Sequence, residues 1–277
     1  MIKDLVVNLE QQAGRDPARD FAISIAETFG AHVAGVAFAF VPDFPGYIAP
    51  QLQPDMLAQI TASSEKAALA VIDRFDTAAD QGQVSREHRV LKAKEADAPS
   101  IFAALARRFD LSVFTQSEPN VVDNDAMIET SLFETGRPLI VVPYIQRDAL
   151  QFDRLVCCWD GSPAATRAIN DALPLLVKAA TVDLLIVLNE KTSSGETEIR
   201  GVEMAKHLAR HGVKIQIETT IAADIDVANA ILSYVADRSA TLIVMGGYGH
   251  PRLREAILGG VTRDMLKSMT APVFMSR

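Results

Sequence analysis

The stretch "MGGYGHPRLREAILGGVT", residues 245–262, holds the residues best suited to cradle an anion. Five of the chain's 15 glycines fall between Gly246 and Gly260. Glycine lets backbone approach a ligand closely, and a helix start offers unpaired N–H groups to negative charge. The apolar run "TLIVM" before this stretch reads as a strand, and "VTRDMLKSM" after it reads as a helix. Gly246 and Gly249 then sit just past a strand, and Gly259 and Gly260 just before a helix. Together they would form a phosphate cradle. Tight turns without a ligand are the alternative reading of the same glycines. His250 and Arg252 flank the turn as candidate phosphate contacts, although solvated loop residues need no function.

No second chemistry competes with this one. The chain has no GxxxxGK[ST], HExxH or GxSxG pattern, so no catalytic residue is assigned and an enzyme is not expected. Cys157 and Cys158 are adjacent on a strand pattern and point to opposite faces, a poor geometry for a disulfide. Without CxxC or Cys/His spacing they read as inert buried thiols in a reducing cytoplasm, and no metal site is expected.

The elements that must position the glycines form a repeat of about 145 residues. "KDLVVNL" near the start matches "DRLVCCWDGS" at 153–162, and each leads to a capping residue followed by proline: Asp16–Pro17 and Ser162–Pro163. Second strands follow at 31–40 and 182–189. Amphipathic helices come next, with Met56, Ile60, Ala67, Val71 and Phe75 on one face in the first half, and Ile199, Val202, Ala205 and Leu208 in the second. Third strands are expected at 84–91 and 213–219, helices near 97–109 and 225–238, and fourth strands at 111–116 and 242–247. Each half ends on a strand led by proline, "RPLIVVP" or "APVFMS".

Strands alternating with helices imply right-handed crossovers and a parallel sheet covered on both faces. The expectation is two five-stranded α/β domains, 1–143 and 153–277, joined by a linker near 144–152. The segment "FVPDFPGYIAPQLQP" at 40–54 is an additional loop of the first half, read as a surface flap, with a lid or partner contact as the alternative.

At 277 residues and 49% hydrophobic, the composition is that of a globular chain. No apolar run approaches the ~18 residues of a membrane span, and "MIKDLVVNLE" does not read as a signal peptide. The net charge of −8 argues against a nucleic-acid partner.

Gly246-x2-Gly249-x9-Gly259 after "LIVM", with "WDGS" ending the first strand of that half, resembles the universal stress protein family. The resemblance is close over 153–277 and lies mainly in pattern over 1–143, so the chain is similar to a tandem universal stress protein. It implies flavodoxin-like (Rossmann-like) domains with strand order 3-2-1-4-5, packed through their fifth strands as an intrachain pseudo-dimer. One branch of the family binds ATP, and the implied cofactor is ATP or another adenine nucleotide. Mg2+ is an optional companion, since one carboxylate, Asp160, is a weak metal signal.

By position, Asp160 matches the family's adenine-side aspartate and Val187 the apolar residue ending the second strand. Met245, Gly246 and Gly249 match the turn, and Gly259, Val261 and Thr262 the phosphate loop and helix start. Gly260 departs, standing where the family has Ser or Thr. Trp159 precedes Asp160 as a candidate wall of the adenine pocket or as ordinary packing.

The first half departs further. Asn8 stands at the aspartate position, "TQSEPNVVDND" replaces the glycine turn, and Glu118, Asp123 and Asp125 would repel phosphates. No ATP is expected there. The implied function is a cytoplasmic stress-response binding or signalling module, with homo-oligomers or an unnamed protein as partners. A scaffold that needs no nucleotide is the alternative, and a slow ATP hydrolase stands behind both.

Overall fold

The computed structural model of the chain describes residues 1–11, 15–43, 54–188, 195–222, 225–247 and 260–277. It divides into two compact units, 2–135 and 136–277. The first contains β1 (Asp4–Asn8), α1 (Pro17–Phe29), β2 (His32–Phe40), α2 (Pro54–Gln81), β3 (Ser85–Ala93), α3 (Ala98–Ala106), β4 (Leu111–Thr115) and α4 (Asp125–Glu134). The second contains β5 (Leu139–Val142), β6 (Arg154–Cys158), α5 (Pro163–Asp171), α6 (Leu173–Leu176), β7 (Thr181–Leu188), α7 (Gly195–Arg210), β8 (Ile215–Ile221), α8 (Val227–Asp237), β9 (Leu242–Gly246), α9 (Gly260–Ser268) and β10 (Val273–Ser276).

The strand order in the first unit is β3-β2-β1-β4, all parallel. In the second, β8-β7-β6-β9-β10 run parallel in the expected 3-2-1-4-5 order. β5 completes that sheet antiparallel to β10, pairing Val141 with Val273, Ile140 with Phe274 and Leu139 with Met275. The fifth strands of the two repeats therefore meet, as "PLIVVP" and "PVFMS" suggest. This pairing carries β5 into the second unit, although by sequence it closes the first repeat.

The inner strands are apolar runs because a parallel sheet is covered on both faces. Leu5, Val6 and Val7 of β1 and Leu155, Val156 and Cys157 of β6 are fully buried. Each such side chain contributes about 1.5–3 kcal/mol relative to exposure. Both expected helix starts form. Asp16 Oδ1 accepts from the Arg19 N–H at 3.0 Å, and Ser162 Oγ accepts from the Ala165 N–H at 3.1 Å, each followed by proline at the first helical position.

Two amphipathic faces differ from the sequence reading. In α2 the buried residues are Ala68, Val71, Ile72, Phe75 and Ala79, while Met56, Ile60 and Ala67 are exposed. Twenty-eight residues make α2 far longer than the nine-residue β2 and β3 strands beside it, so its first turns lie beyond the sheet. In α7 Val202 is exposed and Gly201 faces the sheet instead. A Cβ on Gly201 would lie 2.6 Å from Ile186 Cδ1 and 3.6 Å from Trp159 Cδ1, so a side chain there would push against the flexible end of Ile186. Ile199 lies outside the described side chains.

Candidate functional site

Register brings the candidate residues of the second unit to one edge. Cys157 pairs with Val244 and Cys158 with Leu185, so β9, β6 and β7 end level with one another. Asp160 and Val187 each lie two residues past the paired Cys158 and Leu185, and Gly246 two residues past Val244. Strand order reverses between β6 and β9, the place where open α/β sheets take ligands.

Asp160 is exposed, and its Oδ1 accepts from the Ser162 N–H at 2.9 Å, which holds the carboxylate over the start of α5. Val187 is half-buried and Met245 is buried, in register with Met275 of β10. Trp159 is buried; its main-chain N–H donates to the Leu185 carbonyl at 2.8 Å, and its indole Nε1 finds no hydrogen-bond partner among the described residues. Its Cδ1 would lie 3.6 Å from a Cβ on Gly201, so the ring packs close to α7.

Gly246 has a structural reason of its own. A Cβ there would sit 2.6 Å from both the Ala164 carbonyl carbon and the Ala165 nitrogen. The bare backbone is used by the first turn of α5, not only by whatever occupies the crevice. Gly260 differs. It begins α9, is exposed, and would bring a Cβ no nearer than 3.5 Å to Asp264 Oδ2. It does not adopt the left-handed conformation that favours glycine. Val261 beside it is exposed and Thr262 is buried. The first turn of α9 has no acidic residue, so its N–H groups face no built-in anion from that turn. These features fit a nucleotide phosphate. Gly249, His250, Arg252 and Gly259 lie outside the described residues.

The two cysteines are free thiols. Burial pushes the Cys157 thiol well up; burial and then the nearby Asp160 push that of Cys158 to about 12. Both stay protonated and unreactive at neutral pH. Among the described residues, no group of three or more His, Cys, Asp or Glu side chains could hold a metal ion.

The corresponding crevice of the first unit, between β1 and β4, is filled by its own side chains. Asn8, Glu10, Asp16 and Asn124 are all buried. Asn124 Nδ2 donates to Glu10 Oε1 at 2.6 Å and to the Thr115 carbonyl at 2.9 Å; Asn8 Nδ2 donates to the same Glu10 oxygen at 3.1 Å. The Glu10 N–H donates to Asp16 Oδ2 at 3.0 Å. Burial is the main cause that raises Glu10 to about 7 and Asp16 to about 6. At the start of α4, the Asn124 N–H donates to Ser117 Oγ at 2.9 Å and the Asp125 N–H to Asp123 Oδ1 at 3.1 Å. Asp123 thus takes one N–H at this helix start, and the Asp125 carboxylate beside it accepts from Ser117 Oγ at 2.6 Å, so acidic groups do gather here. Glu10 and Asn124 carry no sequence signal for this role; a polar residue before a helix reads as an ordinary cap. A separate cleft of about 740 Å³ lies past β2 and β3, lined by Phe40, Val41, Ile60 and Pro99, with a Lys94–Asp43 ion pair of 3.1 Å at its rim.

An open α/β sheet whose strand order reverses between β6 and β9, with an aspartate after the first strand and a glycine ending the fourth, defines the class of flavodoxin-like domains. Within that class, residues 151–277 match the Universal stress protein family. A universal stress protein of Synechocystis sp. is 27% identical over 153 residues, 55% of this chain, and the match spans about half (51%) of that relative's length. A universal stress protein from Archaeoglobus fulgidus superposes with a TM-score of 0.72 at 13% identity, covering 99% of this chain and 98% of its own. A functionally unknown protein from Pseudomonas aeruginosa gives 0.63 at 15% identity, covering 99% and 92%. These likenesses establish the fold over nearly the whole chain. Among the described residues no helix is long and apolar enough to cross a membrane.

Proposed function

We propose that the chain is a tandem universal stress protein, with domains at 1–143 and 153–277, that holds ATP or another adenine nucleotide in its C-terminal domain. It acts as a cytoplasmic stress-response binding or signalling module. The observation that carries this reading is the juxtaposition of Asp160, Val187 and Gly246 at the reversal point of a sheet inside the family-matched segment. In this reading the exposed start of α9 at Gly260, with Val261 and Thr262, faces the phosphates. Met245 and Trp159 support the base side, and Gly249, Gly259, His250 and Arg252 complete the phosphate side. Mg2+ would accompany the phosphates.

The N-terminal domain takes no nucleotide in this way, since Glu10 and Asn124 fill its crevice and Asp123 takes the Asp125 N–H at the start of α4. That plugged crevice also supports a scaffold role for the first half.

The test is mass spectrometry of small molecules released from the purified, denatured chain. Recovery of an adenine nucleotide in up to one equivalent is expected. Its absence, together with no response of Trp159 fluorescence to added ATP, would leave the scaffold reading.

A further inference from the structure

The two outer strands of the described sheets are built differently. β3 is guarded by charge: Arg86 pairs with Asp76 at 2.8 Å, Arg89 with Glu87 at 2.9 Å, and Lys92 with Glu65. Such charges keep another strand from adding to an edge. β8, "IQIETTI", carries one charged residue, Glu218, which Arg238 of its own unit holds at 3.3 Å. Among the described residues β8 pairs only with β7.

The free edge has a definite chemistry. The Val182 N–H donates to the Lys214 carbonyl and the Ala222 N–H to the Leu188 carbonyl, so the even-numbered residues 214–222 turn their main-chain groups toward β7. Ile215, Ile217, Thr219 and Ile221 therefore turn theirs outward. Their side chains share the face covered by α7, because Thr219 is in register with Ile186, which packs under Gly201. On that face Ile217 is 40% exposed, Ile221 69%, and Val202 of α7 42%.

We propose that β8 is a self-association edge, at which a second copy of this chain adds its own β8 antiparallel across a two-fold axis at Thr219. Antiparallel pairing must join outward residues to outward residues. Centring on Thr219 pairs Thr219 with its partner copy and Ile217 with the second copy's Ile221, twice. It sets Glu218 opposite Thr220, so no like charges meet. Centring instead on Glu218 would oppose two carboxylates, which disfavours that register. The axis makes the contact isologous and closed, so it gives a dimer and not a fibre. The inference is independent of what the C-terminal crevice binds.

Sedimentation velocity of the intact chain from about 5 to about 200 µM tests it, because a contact of one strand pair and a few side chains belongs to the weak, transient class. The expected result is a weight-average mass rising toward twice the monomer value across that range. Thr219→Pro removes an N–H that faces away from β7, so the β7–β8 ladder is preserved while the central pair of the dimer is lost. Ile217→Lys places a charge beside the second copy's Ile221. Both variants should remain monomeric at about 200 µM with unchanged far-ultraviolet circular dichroism. A wild-type chain that stays monomeric, or that associates through a strand of an unrelated protein only, overturns the proposal. So does a dimer that persists in both folded variants, which would place the contact elsewhere.

Discussion

Asn124 Nδ2 lies 2.6 Å from Glu10 Oε1, joining the loop after β1 to the start of α4 across 114 residues of chain. The corresponding places in the second half are the Asp160–Ser162 turn and the start of α9 at Gly260. One crevice is plugged by a hydrogen bond between a carboxyl and an amide; the other ends in an exposed aspartate and an exposed glycine that begins α9. This asymmetry underlies the proposal that the C-terminal half alone takes nucleotide.

The plug makes stability depend on pH. Burial raises Glu10 to about 7 and Asp16 to about 6, so the native state keeps protons that the unfolded chain has already released. The contribution is complete below about pH 4 and declines as pH rises through about 7. Glu10→Gln keeps an acceptor for Asn8 and Asn124 but cannot ionise. It should raise stability at pH 8 by about 3 kcal/mol and flatten the fall between about pH 4 and 7. Urea midpoints measured across that range check this; an unchanged slope would remove Glu10 as its source.

Gly246→Ala should destabilise the second unit by about 1–3 kcal/mol, because its Cβ would collide with the Ala164–Ala165 backbone. Loss of nucleotide affinity in this variant should track loss of fold. Thermal denaturation followed beside ATP titration separates the two, and a fully stable Gly246→Ala chain would contradict the close packing of α5.

At Gly260 the expectation is reversed. Among the described residues nothing crowds a side chain there, and residue 260 is already helical. Gly260→Ser adds a hydroxyl at a helix N-terminus, where the dipole favours negative charge. A charge-assisted hydrogen bond of about 1.5–3 kcal/mol, reduced by competition from Asp264 and water, predicts about tenfold tighter triphosphate binding with little change for adenosine. Equal effects on ATP and adenosine would show that the position does not face phosphate.

At the opposite end of the second sheet, fully buried Asp183 accepts from Arg154 Nη1 at 2.8 Å, Gln216 Nε2 at 2.6 Å and Tyr234 Oη at 2.9 Å. Asp183→Ala strands a guanidinium and two neutral donors. It should cost about 3 kcal/mol by chemical denaturation and leave ATP affinity unchanged, since the network lies at the amino ends of β6 and β8. A large affinity loss in the folded variant would mean that the two ends of the sheet are coupled.

Much of the fold is legible in the chain because its signals are local. Buried runs such as "LVV" and "LVCC", the Asp16–Pro17 and Ser162–Pro163 starts, and the proline-led fifth strands each declare an element within a few residues. What was not legible depends on distant partners. The need for glycine at 246 comes from the backbone of α5, some 80 residues earlier. The buried face of α2 is set by where the sheet ends, so Met56 and Ile60 keep a helical period yet stay exposed. Glu10 and Asn124 meet only once the first sheet is assembled.

The central claim is one adenine nucleotide per chain, held in the C-terminal half. Isothermal titration of the intact chain with ATP tests it most directly. The expected result is a single site with a Kd of roughly micromolar to low-millimolar strength, weakened by Asp160→Ala and untouched by Glu10→Gln. No binding heat at millimolar ATP, or two equal sites per chain, would contradict it.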